Sequence, residues 1–401
     1  MVQGEYSSTY KKLIYATVGE NPLRTTQTYQ QHLETVSITG KPSFGVKGPT
    51  TLSKLIRIPE NIPFDPMHLL YLGINKSFLN AIIKHKLVNL EIMSSVIERI
   101  KVPHYFRRKP RNFLTEYGLW KAQEHRHFLL YFAPIVLDGV RRMCPTEKSN
   151  HLFRLYYLLS TAIYLLYGEK IQDSDITASE ICLREFHLRI IDLFGESIKT
   201  ITLHALQHLP EQVKKFGPLH CVSAMPFENF NRQLKMSVTG TRGAASTMVY
   251  RYLNFQSHLE KNNSASIPTV LGKSFPFQRF KIGSLVFHTF HHGKSLLSAS
   301  YFAFLATSAV FVKIKSINFI SDQYFSVVCR SYKCKPLKSV TDCSDMPSSV
   351  SDTLLQKSPF YILTKGAISE YCPTEFSHHA IITQCSGLLY GVKILNSFEH
   401  E

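Results

Sequence analysis

Apolar residues change their spacing several times along this chain of 401 residues, and the changes mark out its parts. Up to about residue 60 long apolar periods are few. Gly40, Pro42, Gly45, Gly48 and Pro49 fall within ten residues there, which marks a loop-rich stretch over 1–60. From Pro66 to about Ser95 the pattern becomes helical, with Leu69, Leu70, Leu72, Ile74, Phe78, Leu79, Ile82 and Ile83 recurring on one side. Asp65 before Pro66 predicts the helix start, since the Asp side chain accepts a free N–H of the first turn and proline has no N–H to leave unpaired. Further helices are predicted over 116–143, 150–168, 177–195, 198–209 and 245–262. The second half of the first is apolar on nearly all sides (Phe128, Leu129, Phe132, Ile135, Val136, Leu137), which predicts a helix surrounded by others.

Near Ser264 the character shifts. Asn262, Asn263, Ser264, Ser266 and Pro268 read as a linker, and short β-rich runs follow at 281–290, 300–315, 324–329, 360–363 and 380–394, with a polar break at 341–351. These predict a small mostly-β domain over 275–401, of barrel or sandwich type.

Hydrophobic residues make up 44% of the chain, which excludes a disordered polymer, and the net charge of +17 lies mainly in the first two thirds. Such an excess suits a polyanion: DNA, RNA or an anionic membrane surface. The most apolar run, 155–167, is shorter than the roughly 20 residues of a membrane span, so no membrane role is predicted. The 8 cysteines are scattered, unlike a disulfide-stapled secreted domain, and the first residues carry no signal-peptide pattern; a reduced, cytoplasmic or nuclear protein is expected.

Chemistry concentrates in a few places. Lys101, Arg107, Arg108, Lys109 and Arg111 interleave with His104, Tyr105 and Phe106. Cations neutralise phosphates and rings stack on bases, so Lys101, Tyr105, Arg107, Arg108, Lys109 and Arg111 are candidate nucleic-acid contacts; a solvated loop is the alternative. Lys214, Lys215, Arg232, Lys235 and Arg242 extend this basic face if the fold gathers them. His204 and His208 stand four apart, a spacing that can bind zinc, although Ala205 excludes the His-Glu-x-x-His pattern.

The segment FDPMHLLYLGINKSFL, from Phe64 to Leu79, carries an Asp, two spacers and a His, then an apolar run closed by Leu72-Gly73. Arg24-Thr25 and GVKGPTTL precede it. Trp120-Lys121-Ala122, Glu124, Arg126 and Phe128-Leu129-Leu130-Tyr131 follow, then His204, His208-Leu209, Gly217-Pro218 and Phe227-Glu228-Asn229. In this order, across roughly residues 20–260, the set resembles the transposases of the CACTA (En/Spm) type.

The resemblance implies an α+β fold: an incomplete RNase H-like core in 61–265 with a large all-α insertion at about 110–210, followed by the small β-rich domain. It implies a nuclear, DNA-contacting protein whose intact relatives cleave and join DNA with two Mg²⁺ ions held by carboxylates. Asp65, His68 and Glu228 match the catalytic positions, with Asp65 and Glu228 as Mg²⁺ ligands. A helix cap for Asp65, a hydrogen-bonded core histidine for His68 and a first-turn carboxylate for Glu228 are the plain structural alternatives. Intact members place a catalytic Asp, the leading strands and a Cys-rich segment before the region matching residue 20. This chain is therefore expected to bind DNA without cutting it, and to hold no Mg²⁺ tightly unless the missing acids are supplied. The alternative is a protein-interaction module that assembles with a second copy or with an intact transposase. Strands with an open apolar edge at 20–65 and 210–240 would favour assembly, and basic residues lining one groove would favour DNA.

Overall fold

In a computed structural model of the chain, the residues described are 4–15, 24–238, 240, 243–260, 267–272, 275–296, 298–321, 324–340 and 345–395. The fold is mixed α+β: a large helical region followed by a small six-stranded antiparallel β-barrel. The predicted linker at 262–266 and Arg242 lie outside the described residues.

The centre of the helical region is the helix Glu147–Leu166, with Leu152, Phe153, Leu155, Tyr156, Leu158, Leu159 and Ile163 all buried. It begins where Thr146 Oγ1 accepts the Ser149 N–H at 3.0 Å. Helices Ala133–Met143 and Asp173–Phe194 pack against it. The all-round apolar stretch of the sequence is the segment Phe128–Phe132, a π-helical turn, leading into Ala133–Met143; Phe128, Leu129, Ile135 and Val136 are fully covered.

Several predicted boundaries move, each for a local reason. The helix expected over 116–143 is interrupted at Trp120 and Lys121. There the Glu124 carboxylate accepts the Lys121 N–H at 2.8 Å and starts a new helix at Ala122. The run at 66–95 is a π-helix, Met67–Asn75, continued by Lys76–His85. It stops at Lys86, whose φ of 47° reverses the chain before Leu90–Arg99. The stretch 1–60 is less loop-like than expected. Thr26–Thr39 forms a helix with a Thr25/Thr28 capping box at one end and Gly40 at φ 67° at the other. Its Thr- and Gln-rich sequence hides a short stripe of Tyr29, Leu33 and Val36, which packs with Val46 and Ile58.

Around the barrel the strands run Phe302–Leu305, Val310–Ser321, Tyr324–Pro336, Phe360–Tyr371, Leu388–Lys393 and Phe376–Cys385, every neighbour antiparallel, and the last closes on the first. The polar break holds a helix, Ser348–Lys357, while residues 341–344 lie outside the described set. A three-stranded sheet (Thr269–Leu271, Arg279–Ile282, Leu285–His288) adjoins the barrel, and its Phe280 and Phe287 rings join the barrel core.

The change of secondary structure near residue 265 is not a break in the core. Phe360, Ile362, Ile381, Tyr390, Val392 and Ile394 of the barrel belong to the same hydrophobic cluster as the helices. At the join, Tyr390 donates to the buried Asp138 carboxylate at 2.7 Å, and Arg141 and Arg142 flank that carboxylate at 2.5 and 2.8 Å. Before Thr269 the strands among the described residues are Glu5–Ser7 and Lys12–Ile14, one short hairpin. The described parts of 20–65 and 210–240 hold helices instead: Thr26–Thr39, Leu209–Phe216 and Met225–Ser237.

Candidate nucleic-acid interface

Asp65, His68 and Glu228, the last separated from the others by some 160 positions of sequence, meet at the start of the π-helix. Asp65 is the organising group. Its Oδ1 accepts the N–H of Met67 at 3.2 Å and of Ala224 at 2.7 Å; its Oδ2 accepts the His68 N–H at 3.1 Å and also the His68 ring Nδ1. One carboxylate therefore caps the π-helix, fixes the His68 ring and ties in the residue before Met225–Ser237. Pro226 opens that helix and puts Glu228 in its first turn, where its Oε1 stands 3.6 Å from His68 Nε2. The rings and carboxylates differ in exposure: His68 and Glu228 are largely open to solvent and Asp65 is largely covered. With Nδ1 bound to Asp65, His68 presents Nε2 outward toward Glu228.

Glu228 also lines an open cleft of about 880 Å³. One wall is the helix Met225–Ser237, with Asn229, Arg232 and Gln233; the other carries Arg107, Arg108 and Lys121. Four cations and one carboxylate line it, with Arg232 on the same helix as Glu228 and the other three opposite. Arg232 is steadied by Asn229, whose Oδ1 accepts from it at 2.9 Å. Lys121 stood in the sequence as part of the Trp-Lys-Ala run; its place in the cleft follows from the interrupted helix and has no local signal.

The structure separates the six residues of the basic segment. Arg107 and Arg108 line the cleft, Arg108 also standing 3.8 Å from the buried Glu124 carboxylate, and Lys109 is exposed beside them. Arg111 turns inward: its Nε and Nη2 bond Glu124 at 2.6 and 2.9 Å, and Nη2 also caps the Leu119 carbonyl at 2.8 Å, so its place is structural. Tyr105 packs against the buried His379 ring, centroids 5.2 Å apart, and burial raises its hydroxyl well above the usual tyrosine range. Lys101 lines a different cleft, at the barrel. The loop is held down by Phe106, which is buried against His127, and by bonds from Ala299 N to Val102 O at 3.0 Å and from His104 N to Ser300 Oγ at 3.1 Å. Of the other cations, Lys214 pairs with Glu180 at 3.1 Å, Lys215 bonds the Glu60 carbonyl, and Lys235 is exposed on the helix that carries Arg232.

Asp65 and Glu228 are the expected Mg²⁺ ligands, and Asp65 already carries several donors. Both Asp65 oxygens are taken by N–H donors, and a hard cation needs several free oxygen ligands. No group of three or more His, Cys, Asp or Glu placed to hold a metal occurs among the described residues. His204 and His208 meet with their Nε2 atoms 3.2 Å apart, and burial, with the His204 ring beside it, pushes His208 down to about 4.

Comparisons of the chain with protein-family models, with curated proteins and with solved structures found no match.

Proposed function

We propose that this chain is a transposase-related protein of the nucleus that grips the phosphate backbone of duplex DNA in the cleft between Arg107 and Arg108 on one side and the helix Met225–Ser237 on the other, without cutting it. The observation that carries the reading is the lining of that cleft by Arg107, Arg108, Lys121 and Arg232 with Glu228 as the lining carboxylate, Arg108 being shared with a buried acid, Glu124. Cations gathered in a concave surface focus the field on a polyanion, and arginines match phosphate oxygens with paired donors. The choice of DNA comes from the resemblance to the CACTA transposases. The reading without cutting is supported by the donor set: the Asp65 oxygens serve the backbone and His68, and Glu228 is the acid that lines the cleft.

The test is binding of the purified chain to a DNA duplex at several salt concentrations. Log K is expected to fall with log salt by about 0.9 for each phosphate neutralised, and changing Arg107, Arg108 and Arg232 together to Ala is expected to flatten that slope by roughly 2 to 3. Absence of binding at low salt removes the reading.

One observation favours a second account in that event. Val249, Tyr250 and Leu253 on the helix Ala244–Glu260, and Phe227 on its neighbour, expose more than half of their surface. A pair of helices with uncovered apolar side chains suits assembly with a second copy or with an intact transposase.

A further inference from the structure

A second cleft, of about 590 Å³, opens where the helical region meets the barrel. Its cations come from three places in the sequence: Arg99 and Lys101 at the end of the helix Leu90–Arg99 and just beyond it, Lys313 from the strand Val310–Ser321, and Lys365 from the strand Phe360–Tyr371. No Asp or Glu is among the residues that line it. Arg99, Lys101 and Lys365 are exposed, and no ion pair holds any of them among the described residues. Lys313 is placed by aromatic rings, its ammonium 3.3 Å from the centre of the Phe290 ring. The hairpin turn after Phe376–Cys385 forms the rim, with Gln384, Ser386 and Gly387.

We infer that this seam cleft takes a second stretch of nucleic-acid backbone, continuous with the stretch held by Arg107, Arg108 and Arg232. The inference rests on the DNA-binding reading above and extends it to the barrel. The exposed charges of Arg99, Lys101 and Lys365 around one concavity repel one another, and a polyanion relieves that repulsion. The two clefts share one loop: Lys101 lies in the second, and Arg107 and Arg108 in the first. Six residues of chain span at most about 20 Å, the rise along the duplex axis of roughly six phosphates of one strand. The loop between them is pinned by the Val102–Ala299 and His104–Ser300 bonds, so the clefts keep a fixed separation that one backbone can bridge. An acidic peptide would meet the same charges, and the polyglutamate arm of the experiment separates it from a nucleic acid.

The experiment compares three proteins on a duplex long enough to reach both clefts: the full chain, the Arg107→Ala/Arg108→Ala/Arg232→Ala variant, and an Arg99→Gln/Lys101→Gln/Lys365→Gln variant. The seam substitutions remove exposed charges only, and melting temperatures check that the fold is kept. The seam variant is expected to lose roughly 2 to 3 from the salt slope, as the first-cleft variant does, while Lys101→Arg/Lys365→Arg keeps the parent slope. A seam variant with the parent slope, beside a first-cleft variant with a reduced one, overturns this inference and leaves the DNA-binding reading standing. A parent chain that binds no duplex at low salt removes both. If polyglutamate displaces the duplex from the parent but the seam variant resists it, the cleft reads acidic polymers in general, and the nucleic-acid assignment is lost.

Discussion

Arg107 and Arg111 lie one short turn of loop apart and do opposite work. Arg107 is exposed and faces a cleft. Arg111 is bonded twice to Glu124, a carboxylate that is 5% exposed, and that bonding raises its already high pKa. Removing Arg111 leaves the covered Glu124 with only the looser Arg108 contact at 3.8 Å. Arg111→Ala is therefore expected to lower stability by about 2 to 4 kcal/mol, read from urea unfolding, whereas Arg107→Ala stays within about 0.5 kcal/mol. Equal costs would mean that the pairing with Glu124 matters no more than a surface charge. Asp65 carries a similar lesson. Its cap role was legible from the Asp-Pro pair, but its bond to Ala224 was not, because nothing local announces a partner at that distance along the chain.

At the scale of elements, the π-helix Met67–Asn75 sets the geometry of the site. A widened turn turns the residues after Asp65 so that His68 points outward while Met67, Leu69, Leu70 and Tyr71 are buried. Gly73 makes the close packing possible: a Cβ there would stand 2.7 Å from the His68 carbonyl oxygen and 2.8 Å from Thr202 Cγ2. Gly73→Ala is expected to cost about 1 to 3 kcal/mol and to weaken duplex binding together with stability, since the turn that holds His68 must shift. Unchanged unfolding and binding in that variant would show that the turn has room to spare. The helical period at 66–95 was visible in the apolar positions, whereas the choice of a π-turn was not. Both put apolar residues on one side, and the segment packs against the helix Ile201–Ala205. The interruption at Trp120 was hidden for a related reason. The apolar period runs through it, and only the Glu124 cap and the Arg111 bonds stop the helix.

At the scale of the whole molecule, helices and barrel share a core, and buried histidines sit both in the helical region, as His125 does beside Asn75, and at the barrel. His379 has no exposure; its Nε2 bonds the Val286 carbonyl at 3.1 Å and its ring stacks on Phe287 at 4.3 Å. Burial pushes it from 6.5 down to about 3, and burial likewise pushes His125, His288 and His378 down to about 4. These rings are neutral in the fold, and the unfolded chain takes up protons below its ordinary histidine value. Their stabilising contribution is complete above pH 6.5 and is lost as pH falls from there through the folded values. Each such site adds a slope of at most about 1.4 kcal/mol per pH unit. The melting temperature is expected to drop steadily between pH 6.5 and 4, and less steeply in His379→Gln, which keeps a donor for Val286. Equal slopes in the two proteins would mean that His379 is already solvated.

The sequence by itself determined the mixed α+β class, the existence and rough extent of most helices, the β-rich character of the last third and the positive charge. Each of these follows from local periodicity, capping residues or composition, which act over a few neighbouring positions. The tertiary structure decided everything that depends on distance along the chain. It closed the strands into a barrel, joined that barrel to the helical core through Asp138 and Tyr390, brought Glu228 to His68, and sorted one basic segment into two clefts and an internal ion pair. Charge in a sequence does not say which way a side chain turns; a buried carboxylate such as Glu124, with its cost of standing alone, draws in Arg111 at 2.6 Å and, more loosely, Arg108 at 3.8 Å, while Arg107 stays exposed.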